Sequence, residues 1–369
     1  MLDGFVQRDS SLLNNGSLEN ISRYRNTFSP YSEIDKITKI TPKKHVHIDK
    51  YYGLAYDHWI EEGGAFYGKT DKMEFYGIDH KADMGFLRIP FRRIPRISIK
   101  KHDDINSILH DLKKHYKDHD ILYRGQTKEY FLSRGKESLK KIYGCENTLE
   151  PSLLNTSSRT NTNIDSIIPE WSGLLRVSFG MYAQLLDNKV LSDKINDEFN
   201  YYPFMHYALS IAQHYGLPTN GLDVTSDIET ALFFALNTYH KTGAYKANYL
   251  HKRDWKSKSV IYIFALPHKY YSINHEEILS GIIPKSRPSF QNAFFLHNSR
   301  GLNINNATEH LVAALYLDNS DAFKQKTSEL LFPNRQKDLI GNIIFENLFK
   351  AKSIIPNLDS YLKYFYWIN

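Results

Sequence analysis

The sequence predicts an α+β fold, and three stretches carry that expectation. Phe204, Tyr207, Ala208, Ile211, Ala212 and Tyr215 recur at the spacing of one helical stripe. Ile228, Ala231, Leu232, Ala235 and Leu236 repeat the pattern, so two helices each bury one face. Val260–Ala265 is apolar without interruption, which suits a strand in the centre of a sheet.

The segment between the two helical stripes is rich in signals. Gly216 can take the left-handed position after a helix without a Cβ cost, and Pro218 cannot continue a helix, so the first helix should stop there. Ser226 with Glu229 three residues later reads as a capping box that opens the second helix. His214, Asp223, Thr225 and Ser226 therefore stand at the ends of packed elements, where polar groups either satisfy the backbone or face a cleft.

The chain has 369 residues, 41% of them hydrophobic, enough for a large domain with an addition or for two domains. No apolar run reaches the ~18 residues of a membrane span, and Met1–Phe5 lacks the basic and apolar segments of a secretory signal, so the expectation is a cytoplasmic protein without a membrane partner. Cys145 is the one cysteine, which excludes an intramolecular disulfide and a Cys-rich zinc site. The net charge of +6 permits an anionic partner without requiring one. The 26 Tyr and 21 Phe supply a core and rings that could line a site for a planar ligand.

Taken from the start, residues 1–95 read as an N-terminal region with a loosely ordered arm near 10–26 and short, aromatic, Gly-punctuated strands from His45 to Tyr76. His45 and His47 would share one strand face, and with no further ligand in sight they read as ordinary strand residues, so no metal is expected. Gly63–Thr70 satisfies the phosphate-loop spacing. Its context does not: Trp59-Ile-Glu-Glu62 replaces the required apolar strand and Gly77 interrupts the required helix, which favours a Gly-rich turn. Pro90 and Pro95 keep Leu87–Arg96 extended, as a basic linker at a domain boundary. Arg88, Arg92, Arg93 and Arg96 could meet phosphates, but short basic linkers are usually solvated, so nucleic acid is not the favoured partner.

Asp103 is expected to cap a helix carrying Ile105, Ile108, Leu109, Leu112 and Tyr116, followed by a strand over Asp120–Gln126. Residues 143–165 read as a loop, and Arg287–Phe295 as a strand entered by a turn. Asn306 with Glu309 reads as another capping box, opening a helix through Ala313 and Leu317. Leu330–Asn334 separates two helical stretches, and residues 349–369 form an aromatic tail expected to cover the core.

Three pieces resemble the FRG domain, named for its Phe/Tyr-Arg-Gly motif: Tyr123-Arg124-Gly125-Gln126, then Ala212–Thr219 with Leu222–Ser226, and Arg287 with Gln291. The resemblance extends over residues 97–348. It departs from the family where Asn220, Gly221 and Val224 replace the usual Arg, Leu and Trp.

A weaker similarity is to the Arg, Ser, Glu layout of ADP-ribosyltransferases, and it implies a mixed sheet with flanking helices and NAD as substrate. In that layout the catalytic set would be Arg124, Thr225, Ser226 and Gln291, with Tyr123, Gln126, His214, Asp223 and Arg287 binding ligand. Arg124 would hold a phosphate bidentately, Thr225 or Ser226 a ribose hydroxyl, and Gln291 would orient that ribose. A transferase has Glu at the last position, because a carboxylate favours the cationic transition state that an amide cannot stabilise by charge. Glu229 and Glu309 could substitute, although each also fits a cap. The resemblance thus implies a pocket for NAD or a related nucleotide, with ADP-ribosyl transfer to an unknown macromolecule or NAD hydrolysis, in a bacterial toxin or defence role. The alternative is a non-catalytic module that binds nucleotide, peptide or nucleic acid. Either way Arg124, His214, Asp223, Thr225 and Gln291 should approach one cleft.

Overall fold

The structure, a computed structural model, describes residues 5–9, 45–49, 51, 54–57, 78–89, 92–143, 145–160, 164–189, 192–193, 210–253, 257–267, 272–274, 286–297, 305–318, 322–351 and 365–368. The arm near 10–26, the phosphate-loop match at 63–70 and residues 204–209 of the first helical stripe lie outside them.

An eight-stranded mixed sheet organises the fold, with the strands β4 (Phe86–Ile89), β5 (Arg92–Ile99), β6 (His119–Gln126), β7 (Gly221–Thr225), β10 (Ser259–Pro267), β11 (Ser272–Asn274), β12 (Ala293–His297) and β13 (Leu311–Leu317). Their spatial order is β11-β12-β7-β6-β10-β13-β5-β4, and every neighbouring pair is antiparallel except β13 with β5. β1 (Phe5–Asp9), β2 (His45–Asp49) and β3 (Leu54–Asp57) form a separate antiparallel sheet in the expected β-rich N-terminal region.

β10 is central, as its apolar run predicts, and its two faces feed two different cores. Ile261, Ile263 and Ala265 pack with α1 (His102–His115) and α5 (Ile228–Leu236); in chain order α2 (Lys136–Tyr143), α3 (Thr156–Thr160) and α4 (Ile164–Leu185) come between those two. Val260, Tyr262, Phe264 and Leu266 join Leu122, Leu222 and Val224 on the opposite face. A third core joins α4 and α7 (Leu339–Ala351) to Ile211, Ala212, Tyr215, Phe365 and Trp367. Trp367–Ile368 (β14) also pairs with β9 (Lys246–His251), whose antiparallel partner is β8 (Asn237–Gly243).

Several local expectations are corrected. Leu311–Leu317 is a strand preceded by a 3-10 turn at Asn306–His310. All seven of its residues are buried between β10 and β5, and an unbroken apolar run has no period of its own, so its neighbours decide its conformation. Arg287–Phe290 (α6) is a helical turn with Pro288 near its start, and the strand begins only after Asn292 turns the chain at φ +45°. The loop expected at 143–165 contains α3 and the start of α4. Asp104, rather than Asp103, closes the start of α1 by accepting from the Lys100 and Lys101 backbone N–H groups. Likewise α5 is capped by Asp227, whose carboxylate accepts from the Glu229 and Thr230 N–H groups at 3.3 and 3.1 Å, while Ser226 is exposed.

The basic segment Leu87–Arg96 is no linker. It forms β4 and most of β5 at the sheet edge, so residue 96 falls within a strand. Arg88 donates to the Tyr143 carbonyl and the Cys145 thiol, Arg93 stacks on Phe86, and Arg96 pairs with Glu129. Arg88, Arg93 and Arg96 are thus engaged within the fold. No helix among the described residues is long and apolar enough to cross a membrane.

Candidate functional site

The site lies where the large sheet splits. β6 and β7 are paired at one register position, Tyr123 with Thr225, and the remainder of the two strands is bridged by a side chain. Arg124 supplies it, donating from Nη1 to the Asp223 carbonyl at 2.5 Å. Beneath the split Gly125 lets α5 approach so closely that a Cβ there would stand 1.8 Å from the Ala231 carbonyl oxygen. A cleft of about 190 Å³ opens at this point.

Two further elements deliver the rest of the site. Residues 210–214 are helical and end as expected on Gly216, at φ +90°, with Leu217 N–H bonding to Ala212 O and Gly216 N–H to Gln213 O. His214, in the last turn, is thereby held against the cleft. The turn after α6 places Gln291, whose Nε2 donates to Leu331 O at 3.2 Å and whose Oε1 faces His214 Nδ1 at 3.2 Å. With the amide orientation set by Leu331 O, Gln291 Oε1 is placed to accept from Nδ1, while Nε2 faces Asp223 Oδ1 at 3.6 Å.

Burial dominates the electrostatics. It brings the Arg124 guanidinium down to about 10, a shift that Asp223 opposes, so the side chain is a cation at neutral pH. Burial also lowers His214 from its ordinary 6.5, against the opposing attraction of Asp223. In the unfolded chain that imidazole takes a proton as pH falls through 6.5, whereas the folded protein resists it. Stability contributed by a neutral His214 is thus complete above 6.5 and is lost progressively below it. We expect Tm to fall more steeply between neutral and mildly acidic pH in the wild type than in His214→Gln, followed by thermal unfolding; equal slopes would contradict this origin.

Of the nine side chains singled out by sequence, Tyr123, Arg124, His214, Asp223, Thr225 and Gln291 line the cleft. Three do not line it. Ser226 is exposed; Gln126 lies beyond the cleft on β6; Arg287 is fully buried, donating to His214 O at 2.8 Å and Tyr366 O at 3.1 Å with its guanidinium 4.6 Å from the Tyr215 ring centre. Arg287 is therefore a structural cation rather than a ligand contact. Thr225 reaches the cleft, but its hydroxyl already donates to Gln291 O at 2.7 Å and accepts from Asp227 N–H at 3.0 Å.

Sequence reasoning missed an aromatic wall made by Phe234, Tyr249, Phe332 and Tyr366, in which Tyr249 and Phe332 stack at 5.2 Å and 23°. High ring content was the one available signal, because these residues come from four separate segments. Burial and the adjacent Tyr366 hold the Tyr249 phenol well above its ordinary value, so it is a neutral donor and acceptor.

Fold and cleft together define an α+β protein that gathers one cation, one carboxylate and a ring-lined wall at a break in its sheet. Residues 119–243 match the FRG domain family model, and this part of the chain is an FRG domain. The match covers about a third of the chain, narrower than residues 97–348: it includes Tyr123–Gln126, His214 and Asp223–Ser226 but not Arg287 or Gln291. No curated protein and no solved structure matches the chain.

Proposed function

We propose that the FRG-domain cleft binds NAD or a related nucleotide, with a phosphate on Arg124 and a planar ring against the aromatic wall. One observation carries this reading: the Arg124 guanidinium lines the cleft and, among the described residues, is met by the Asp223 carbonyl and not by a carboxylate in an ion pair. A half-buried cation so placed favours an anion, and its planar fork suits a phosphate. Phe234, Tyr249, Phe332 and Tyr366 offer a surface on which a base or nicotinamide ring could stack.

Cleavage of the nicotinamide bond is a further step on the same reading. Gln291 is neutral and Thr225 is engaged by the backbone, so they supply orientation but no negative charge. Asp223 is the one carboxylate among the described lining residues, with its side chain 35% exposed, and a developing oxocarbenium ion would have to rely on it. A toxin or defence role would follow from such cleavage or from transfer to a macromolecule.

NAD titration by calorimetry tests the binding reading. Arg124→Lys keeps the charge but loses the fork, and should weaken binding by roughly 1.5–3 kcal/mol, the value of a charged hydrogen bond, with a smaller effect on Tm. A large loss of Tm at unchanged affinity would reassign Arg124 to a structural role. Nicotinamide release separates the chemistry: release that Asp223→Asn abolishes supports an enzyme, whereas NAD binding without release leaves a binding module.

A further inference from the structure

A second concavity lies beside the far end of β6. It has a volume of about 720 Å³ and begins at Thr127, three residues beyond Arg124. Of its ten described lining residues none is Asp or Glu, while Lys128 and Arg253 are exposed there, so the groove favours an anion. The adjoining sequence His251–Lys258 continues the bias with Lys252, Arg253, Lys256 and Lys258 against a single Asp254.

The groove has a fixed floor and two different walls. Lys252 is buried, and its ammonium donates to the Thr127 and Ser257 carbonyls and to Ser259 Oγ at 3.2 Å, tying the end of β6 to the start of β10. Lys128 stands over the Tyr130 ring at 4.9 Å from its centre, and that ring is 44% exposed. Opposite, the β8–β9 ribbon presents exposed His240 and Leu250, and Arg253 follows it. A partly exposed ring beside cations is the arrangement that takes an unstacked base together with its phosphates. A duplex would keep its bases away from Tyr130, and a bare phosphate would leave the ring and Leu250 without a use.

We propose that this groove binds single-stranded nucleic acid, with phosphates on Lys128 and Arg253 and a base stacked on Tyr130. The site is separate from the NAD cleft and does not depend on that reading.

The test is fluorescence anisotropy of the full chain with a labelled oligo-dT of about 20 nucleotides, across a salt series. Wild type should bind, more weakly as salt rises. The double variant Lys128→Ala/Arg253→Ala should lose about tenfold or more in affinity and flatten the salt slope by about 1.4, the loss of two phosphate contacts. Tyr130→Ala should weaken binding by roughly 5- to 150-fold with the slope unchanged. All three side chains are exposed, so thermal unfolding should show intact folds. The proposal is overturned by absence of oligo-dT binding at low salt, by variants that bind as the wild type does, or by preference for a duplex or for phosphatidylserine vesicles over the single strand.

Discussion

Arg287→Met should lower the stability of this protein by about 3–5 kcal/mol, the usual consequence of removing one member of a buried charge pair. Arg287 is fully buried, and its guanidinium lies within 5.6 Å of the Tyr215, Phe332, Tyr366 and Trp367 ring centres. Its Nε stands 4.0 Å from Asp338 Oδ2, a carboxylate that is also fully buried and whose pKa burial raises against the pull of Arg287. Methionine fills much of the volume but leaves Asp338 without its cation and the His214 and Tyr366 carbonyls without a donor. A fall in Tm of roughly 6–10 °C should follow. Replacing both charges, in Arg287→Met/Asp338→Leu, should recover part of the loss, since apolar pairs often replace buried ion pairs at little cost. A single variant that melts with the wild type would show that the aromatic box is stable without the charge.

Gly125→Ala should cost about 3 kcal/mol, at the upper end for one added methyl in a packed interior. The new Cβ would stand 1.8 Å from Ala231 O and 2.7 Å from Ala235 N, both backbone atoms of α5, so no rotamer change relieves the overlap. The helix itself must retreat, and with it Thr230 and Phe234 of the cleft wall. Loss of Tm should therefore be accompanied by loss of the nucleotide binding proposed for the cleft. Gly180→Ala is the control, because nothing lies within 4 Å of a Cβ there and α4 gains a better helix former. Equal melting of the two variants would show that α5 does not rest on Gly125. A larger loss at Gly125 than at Gly180 would assign the motif's glycine to helix packing.

Phe295 gives a similar account of one departure from the family pattern. A Cβ at Gly221 would stand 1.9 Å from its ring, so a larger residue there would require the Phe295 ring to move. Val224 packs in the core on the same sheet face as Leu222 and Tyr262.

What the sequence determined by itself was whatever a short window can specify. The stop at Gly216 follows from one residue without a Cβ; β10 follows from a run too apolar to be anything but interior; the stripe of α5 follows from its period, and Ala231, Leu232, Ala235 and Leu236 are all fully buried. The approach of His214, Thr225 and Gln291 to Arg124 was also legible, because each stands at the end of an element, and Asp223 follows from sharing the strand of Thr225. Tertiary structure alone decided the rest. Leu311–Leu317 became a strand because β10 and β5 offered ladders on both sides, and local pattern cannot register a neighbour distant in sequence. Arg287 looks the same in sequence whether it meets a phosphate or an aromatic box; only the arrival of Tyr215, Phe332, Tyr366 and Trp367 around it separates the two. The cleft's aromatic wall was hidden for the same reason, since four rings from four segments become one surface only when long-range packing brings them together.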